Sequence, residues 1–346
     1  MSVPTDTVTF KAEHIEMAHG AGGKASRRLV EDLIVPLFDN APLRTLGDAA
    51  TVQANGTGIT FTTDSFVVHP LQFPGGSIGE LAVNGTLNDL SVGGAQPVAL
   101  SAALIVEAGL SRATLQAEVE AMAQAADAAG VPIVTGDTKV VEHGKADGMY
   151  VNTTGIGLPF DALRLGADHV QPGDQILLSG PVGDHGITIL LARGDLALSA
   201  DLETDSRCIA PLIEALVEAV GPSIRWLRDP TRGGVASALN ELARDVPCAA
   251  VVYEDDLPVR PPVRGACEIL GLDPLYIANE GQFVAVVAPD AVDDALDALH
   301  SVPGGDGARC VGEIRETPAR RFLTQNPYGS TRVVDLLTGD PLPRIC

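Results

Sequence analysis

Gln175-Ile176-Leu177-Leu178-Ser179-Gly180 is a short apolar run closed by a serine and a glycine, and it starts directly after a segment, 159–173, broken by Pro159, Gly166, Pro172 and Gly173. Proline and glycine at that density interrupt regular structure, so the run reads as the first strand of a second domain. Towards the N-terminus the same alternation of elements already exists. Residues 149–157 and 131–135 read as strands, the latter leading into Gly136-Asp137-Thr138-Lys139. Between Ser111 and Gly130, Leu115, Val119, Met122 and Ala126 recur at helical spacing, with glycine as the usual left-handed stop. Ser77-Ile78-Gly79-Glu80 has the spacing of a capping box and predicts a helix carrying Asn84, Asn88 and Asp89. Residues 59–63 form a β-branched strand that stops at Asp64, which puts Asp64 and Asp137 at strand ends. Towards the C-terminus, a helix follows 229–234, strands follow at 249–253 and 282–288, then a helix near 290–300 and a strand near 309–314. Helices and strands alternate in both halves, so the class is mixed α/β (α+β). The 346 residues divide into domains at 1–160 and 170–337 and a flexible tail at 338–346.

The composition, 45% hydrophobic with only 4% aromatic, describes interiors built from Val, Leu, Ile and Ala. A net charge of −22, from 45 acids against 23 bases, argues against a nucleic-acid groove, which needs clustered Lys and Arg. It also means that a phosphorylated substrate needs a metal ion. The longest apolar stretch, around 98–106, is too short to span a bilayer, and no charged-then-apolar leader stands at 1–6, so a cytoplasmic protein without a membrane partner is expected. Five cysteines with no Cys-x-x-Cys pair support neither a disulfide framework nor a thiolate zinc site. Cys208, Cys248, Cys267 and Cys310 read as core thiols. Cys346 differs, because it ends the proline-punctuated stretch Asp340-Pro341-Leu342-Pro343-Arg344-Ile345-Cys346, where a thiol is reachable and reads as a handle for a covalent group or, alternatively, as a fortuitous terminal residue, a disulfide partner or a lipid site. Eight residues from Gly339 can stretch roughly 25 Å, far enough to swing between an outside partner and a cleft.

His19-Gly20-Ala21-Gly22-Gly23-Lys24 is a glycine cluster followed by a base, a segment whose amides can close over phosphates or simply turn into a helix at 26–37. It is not a Walker A loop, because Ala18 and Ala25 stand where that pattern needs a glycine and a hydroxyl. Asp48, Asp64, Asp89, Asp137 and Asp229 each sit beside glycine, threonine, asparagine or proline rather than in a charge run. Singly each reads as a turn or cap acid; jointly they suit a metal–nucleotide site, since magnesium takes hard oxygen ligands and leaves positions for phosphate. Lys139 and Glu280 read either as an acid–base pair or as an exposed ion pair.

Taken together, 19–23, Thr62-Thr63-Asp64-Ser65-Phe66-Val67-Val68, Phe73-Pro74-Gly75-Gly76, Gly85-Thr86-Leu87-Asn88-Asp89-Leu90, 136–139, Asp229-Pro230-Thr231-Arg232-Gly233-Gly234, Asn279-Glu280-Gly281 and the ending Pro343-Arg344-Ile345-Cys346 closely resemble the HypE family of carbamoyl dehydratases of [NiFe]-hydrogenase maturation. The resemblance runs essentially end to end. Several motifs are shared with aminoimidazole ribonucleotide synthetase and selenophosphate synthetase, and the Pro-Arg-Ile-Cys ending singles out the family. Ser77 departs from the family pattern, which carries an acid there. The resemblance implies a PurM-like ATP-binding architecture, with an N-terminal sheet that forms a barrel in a homodimer and a C-terminal α/β sandwich. It implies ATP and magnesium, with Asp48, Asp89 and Asp229 as magnesium ligands, Asp64 and Asp137 near the phosphates, and Gly20, Gly22, Gly23 and Lys24 in a covering loop. It implies that HypF carbamoylates the Cys346 thiol, that ATP-dependent dehydration turns the thiocarboxamide into a thiocyanate with Lys139 and Glu280 assisting proton removal, and that the cyanide passes to an iron centre on HypC and HypD. The alternative is an ATP-dependent phosphotransferase or ligase of the same superfamily acting on a free small molecule.

Overall fold

The computed structural model describes residues 8–194, 196, 198–337, 339, 342 and 344–346. Positions 1–7 and the tail prolines Pro341 and Pro343 lie outside the described residues. Helix α1 (Lys24–Leu29) passes through a wider turn at Val30–Ile34 into α2 (Val35–Phe38). Pro36 has no N–H for the Asp32 carbonyl, which accepts instead from the amides of Thr9 (3.1 Å) and Phe10 (3.4 Å). There follow α3 (Ala41–Arg44), β1 (Ala50–Ala54), β2 (Thr57–Phe66), the paired two-residue strands β3 (Gln72–Phe73) and β4 (Gly76–Ser77), α4 (Ile78–Val92), β5 (Ala95–Glu107), α5 (Arg112–Ala129), β6 (Ile133–Val141) and β7 (Met149–Pro159). Among the described residues these strands build a five-stranded sheet in the order β1-β2-β7-β5-β6, antiparallel except where β5 meets β6.

The second half contributes β8 (Gln175–Leu178), α6 (Asp184–Ala192), α7 (Ala210–Val220), β9 (Ile224–Arg228), α8 (Gly234–Asp245), β10 (Ala249–Tyr253), α9 (Pro261–Leu270), β11 (Val284–Val287), α10 (Val292–His300), β12 (Arg309–Arg315), β13 (Arg321–Gln325) and β14 (Thr331–Val334). Its sheet runs β14-β13-β10-β12-β8-β11-β9. The side-chain period of two splits β8 between two cores. Ile176 and Leu178 meet Val235, Leu239 and Leu242 of α8, while Leu177 meets Ile213, Leu216 and Leu299 of α7 and α10. The segment 159–173 is itself packed, with Leu163 and Val170 buried.

Helix α4 is buried all round, as a helix enclosed by protein on every side must be. One side packs on β2 and β7, another on α5, and its polar Asn88 reaches across to the second half. The expected capping box is incomplete: Ser77 is the N-cap, but its hydroxyl makes no capping bond, and the Glu80 carboxylate, beside the Ser77 amide, also accepts from Asn84 Nδ2 at 2.7 Å. The Ser111 cap is present, accepting from the Thr114 amide at 3.0 Å, and α5 ends at Gly130. Asp64 and Asp137 prove to lie within strands, opposite Thr153 and Ala103 respectively. The long partners β7 and β5 offer ladder bonds past both acids, so pairing carries the strands further than local residue preference does.

Gly79 marks the closest approach of α4 to α5. A Cβ there would lie 2.1 Å from the Glu118 carbonyl oxygen, and the fully buried Glu118 carboxylate accepts from the Gly79 amide at 3.0 Å. Gly79→Ala is therefore expected to lower stability by about 1–3 kcal/mol through overpacking, read as an earlier denaturant midpoint. An unchanged midpoint would show that α5 yields freely.

Candidate active site

Five elements bring acids to one place. Asp48 stands in the turn before β1, Asp64 on β2, Asp89 on α4, Asp229 just after β9, and Glu280 in the loop before β11. Carboxylate oxygens of Asp48, Asp89 and Asp229 all lie within 4.8 Å of one another. All five acids, with Arg232 and Cys346, line a cavity of about 190 Å³. The Thr62 hydroxyl sits 2.7 Å from the Asp48 carbonyl oxygen and 2.9 Å from Asp89 Oδ2, which ties the two segments together.

Such crowding has an electrostatic signature. Burial, and then the neighbouring carboxylates, push Asp89, Asp229 and Glu280 well above the ordinary carboxylate range. Asp48 is raised by burial against the pull of Arg228, whose Nη1 lies 2.5 Å from Asp48 Oδ1. Asp64 is raised by burial against the pull of Arg232. Glu280 Oε1 is buried with no hydrogen-bond partner among the described residues. Its backbone is fixed, with the amide donating to Asp205 Oδ1 (3.0 Å) and the carbonyl accepting from Asn88 Nδ2 (2.9 Å). Three converging hard-oxygen donors and an orphaned carboxylate oxygen are the donor set that fits magnesium.

The glycine cluster packs against Arg232, at the edge of this centre. Gly20 accepts from Arg232 Nη1 at 2.9 Å through its carbonyl, and Gly22, at φ +76°, presses so close that a Cβ would fall 2.9 Å from the Arg232 Cβ. Lys24 turns away, pairing with Asp335 at 2.6 Å. Cavities of about 620 and 430 Å³ adjoin through Arg232, both within the range of small-ligand pockets.

Asp137 and Lys139 are not among the residues lining the acid cavity. They face each other at 2.7 Å on the exposed edge strand β6. The register explains why: Asp137 and Lys139 pair with Ala103 and Ile105, which lie opposite Asn152 and Tyr150 on the open face of the sheet, whereas Asp64 lies opposite the buried Thr153 on the α4 face. Within one chain Lys139 and Glu280 are thus not brought together. The sequence reading overlooked Arg228 and Arg232. Arg232 stands in the 229–234 motif, and a base in a chain so rich in acids was the available signal.

The tail is seated. Leu342 and Ile345 are buried in the core that also holds Ile187, Ile189 and Val263. The Val67 amide donates to the main-chain oxygen of Cys346 at 2.9 Å, and Arg344 pairs with Asp147 at 2.6 Å. Cys346 lies in no disulfide. Of the other cysteines, Cys248 and Cys267 are buried and Cys208 and Cys310 half-buried. No helix of the described residues is long and apolar enough to cross a membrane.

A two-sheet fold with acids converging between its halves defines the class of AIR synthase related proteins. Residues 46–158 match the N-terminal domain of that family and 171–322 its C-terminal domain. The chain is 47% identical over 332 residues to the carbamoyl dehydratase HypE of Azotobacter vinelandii, covering 96% of this chain and 97% of that relative. It superposes on a crystal structure of the hydrogenase maturation protein HypE in complex with ATP with a TM-score of 0.80, at 44% identity over 96% of this chain and all of that one. The HypE of a HypE–HypF complex gives a TM-score of 0.85, at 43% identity over 89% of this chain and 99% of that one. The chain belongs to the HypE family of carbamoyl dehydratases.

A carboxyl whose pKa is higher in the folded than in the unfolded state binds more protons when folded. Stability therefore falls as pH climbs from the ordinary carboxylate range, about pH 4, through the raised values. A bound cation opposes that loss by favouring the ionised form. Without divalent cation the melting temperature is expected to decline over this window, and the increment on adding magnesium to grow with pH and shrink in Asp89→Asn. An increment independent of both pH and Asp89 would refute the cation site.

Proposed function

We propose that Cys346 carries the carbamoyl group and that the acid cavity is where this group is dehydrated to a thiocyanate at the expense of ATP. One observation carries the reading: the thiol-bearing residue lines the same cavity as the five acids. An amide oxygen is a poor leaving group. When that oxygen takes the γ-phosphoryl group of ATP, ADP leaves and the oxygen becomes part of a phosphate ester as one nitrogen proton is lost; removal of the second nitrogen proton then expels phosphate and leaves the nitrile. Asp48, Asp89 and Asp229 would hold magnesium, which would supply charge neutralisation for the phosphate oxygens. The chain's own part is positioning: α4 and β2 fix Asp89 and Asp64, and Arg232 places a guanidinium between the glycine loop and the acids. Glu280, held above the ordinary range by burial and with Oε1 lacking a partner, is suited to move the nitrogen proton.

The same reading assigns Gly20, Gly22 and Gly23 to a phosphate cover, and divides the chain at 1–160, 170–337 and 338–346. It takes HypF as carbamoyl donor, the HypC–HypD pair as cyanide acceptor and the cytoplasm as the compartment. Phe61, Ile105, Ile156 and Leu158 are exposed on the open face of the five-stranded sheet, which supports burial there against a second copy in a homodimer. Asp137 and Lys139 share that face, so any part they play is across the subunit boundary.

Mass spectrometry of the tail peptide tests the proposal. After incubation with HypF, carbamoyl phosphate and ATP, Cys346 is expected to gain a carboxamide and then to lose one water only when magnesium-ATP is present. Cys346→Ala gains nothing, and Glu280→Gln stops at the carboxamide, with dehydration slowed about 10²–10⁴-fold. An unmodified tail beside an active HypF would move the reading to a phosphotransferase acting on a free small molecule. Phe61→Asp is expected to yield a monomer by sedimentation; a dimer in that variant would place the subunit contact elsewhere.

A further inference from the structure

The peptide that precedes Cys346 is held from outside the acid cavity. His185, at the start of α6, is fully buried, with Nε2 2.6 Å from the Ile345 carbonyl oxygen and Nδ1 2.7 Å from Thr204 Oγ1. The Ile345 carbonyl oxygen can only accept, which leaves Nδ1 of the neutral ring to take the proton of Thr204 Oγ1, itself accepting from the Ser206 amide at 3.0 Å. The imidazole proton is then on Nε2 and is donated to Ile345. Burial pushes the His185 pKa down, which favours the neutral ring. Phe73 meets the ring edge-on, 5.8 Å between centroids, and closes its remaining side.

The carbonyl of Ile345 belongs to the same peptide plane as the amide of Cys346. Fixing that oxygen on one side, with the Val67 amide on the main-chain oxygen of Cys346, sets the direction in which the cysteine side chain leaves the backbone. The fastening of Arg344 is of another kind. Its contacts with Asp147 and Arg193 are partly exposed and lie one residue further from the thiol.

We propose that His185 is a positioning residue for the Cys346 thiol: by donating Nε2–H to the Ile345 carbonyl it holds Cys346 in the acid cavity, and the Thr204 hydroxyl, bonded to Nδ1, holds the ring in that orientation. The proposal rests on Cys346 being the carrier. A ten-fold change corresponds to about 1.4 kcal/mol, a scale that one unpaired buried carbonyl can supply. The test measures the alkylation rate of Cys346 by iodoacetamide, peptide by peptide and without ATP or donor, and single-turnover dehydration of the carbamoylated full chain. His185→Ala and Thr204→Val are expected to raise Cys346 alkylation about ten-fold and to slow dehydration by a similar factor with KM for ATP unchanged. His185→Gln, whose amide can still donate, is expected to recover most of both. Wild-type alkylation and dehydration in folded His185→Ala would overturn the proposal. Should Cys248 and Cys267 also become reactive in His185→Ala, that variant has lost its fold, and Thr204→Val decides: an unchanged Cys346 rate there overturns the proposal equally. Alkylation needs no carbamoyl chemistry, so a failed latch and a failed carrier reading give different results.

Discussion

Five carboxyl groups around a cavity of about 190 Å³ repel one another, and the backbone that bears them stays in place only because it is tied down elsewhere. Helix α4 is the main tie. Enclosed on all sides, it carries Asp89 into the cluster and sends Asn88 to the carbonyls of Arg207 and Glu280, while Asn88 Oδ1 accepts from the Ile209 amide. One side chain thus joins the two halves of the molecule beside the acids. Arg228 and Arg232 supply the compensating charge, the first pairing with Asp48 and Glu241, the second lying between Asp64 and the glycine loop. The relation of the halves and the geometry of the site are therefore one constraint.

Much of this was legible in the chain. Strands such as β10 and β12 and helices such as α5 and α10 follow from local signals, because their apolar periods and end residues agree with their packing. Helices α6, α7 and α9 escaped reading. Helix α7 has Pro211 near its start and an isoleucine for an N-cap, so no side chain announces it, and its identity comes from burial of Leu212, Ile213 and Leu216 under the second sheet. Glu80 misled for a related reason: its spacing from Ser77 is that of a cap, yet Asn84 and Ser206, the latter 122 residues beyond Asn84, determine where its carboxylate goes.

The site was legible in kind and not in arrangement. Aspartates beside glycine, threonine and asparagine suggest a cation site, but whether they converge depends on strand register. A shift of one residue sends a side chain to the opposite face. That separates Asp64 from Asp137, each predicted to end a strand and each in fact within one, on opposite faces of the same sheet. The arginines were harder to see, since their role depends on burial beside acids far away in sequence.

The energetics of the tail follow from the same contacts. Ile345 and Leu342 bury apolar side chains worth about 1.5–3 kcal/mol each, while the Arg344–Asp147 pair, with side chains 30% and 43% exposed, is worth about 0–1 kcal/mol. Against them stands the ordering of the tail backbone, about 1–2 kcal/mol per residue. Over the several residues of the tail that cost exceeds these gains, so the docked tail depends also on its hydrogen bonds to His185 and Val67, as suits the proposed exchange of the thiol between a partner and the acids. A stronger anchor would keep Cys346 in the cavity and out of reach of any donor. A weaker one would leave the thiol undirected, and for that reason a buried, uncharged hydrogen bond next to the reacting residue carries more consequence than the solvent-facing ion pair beside it.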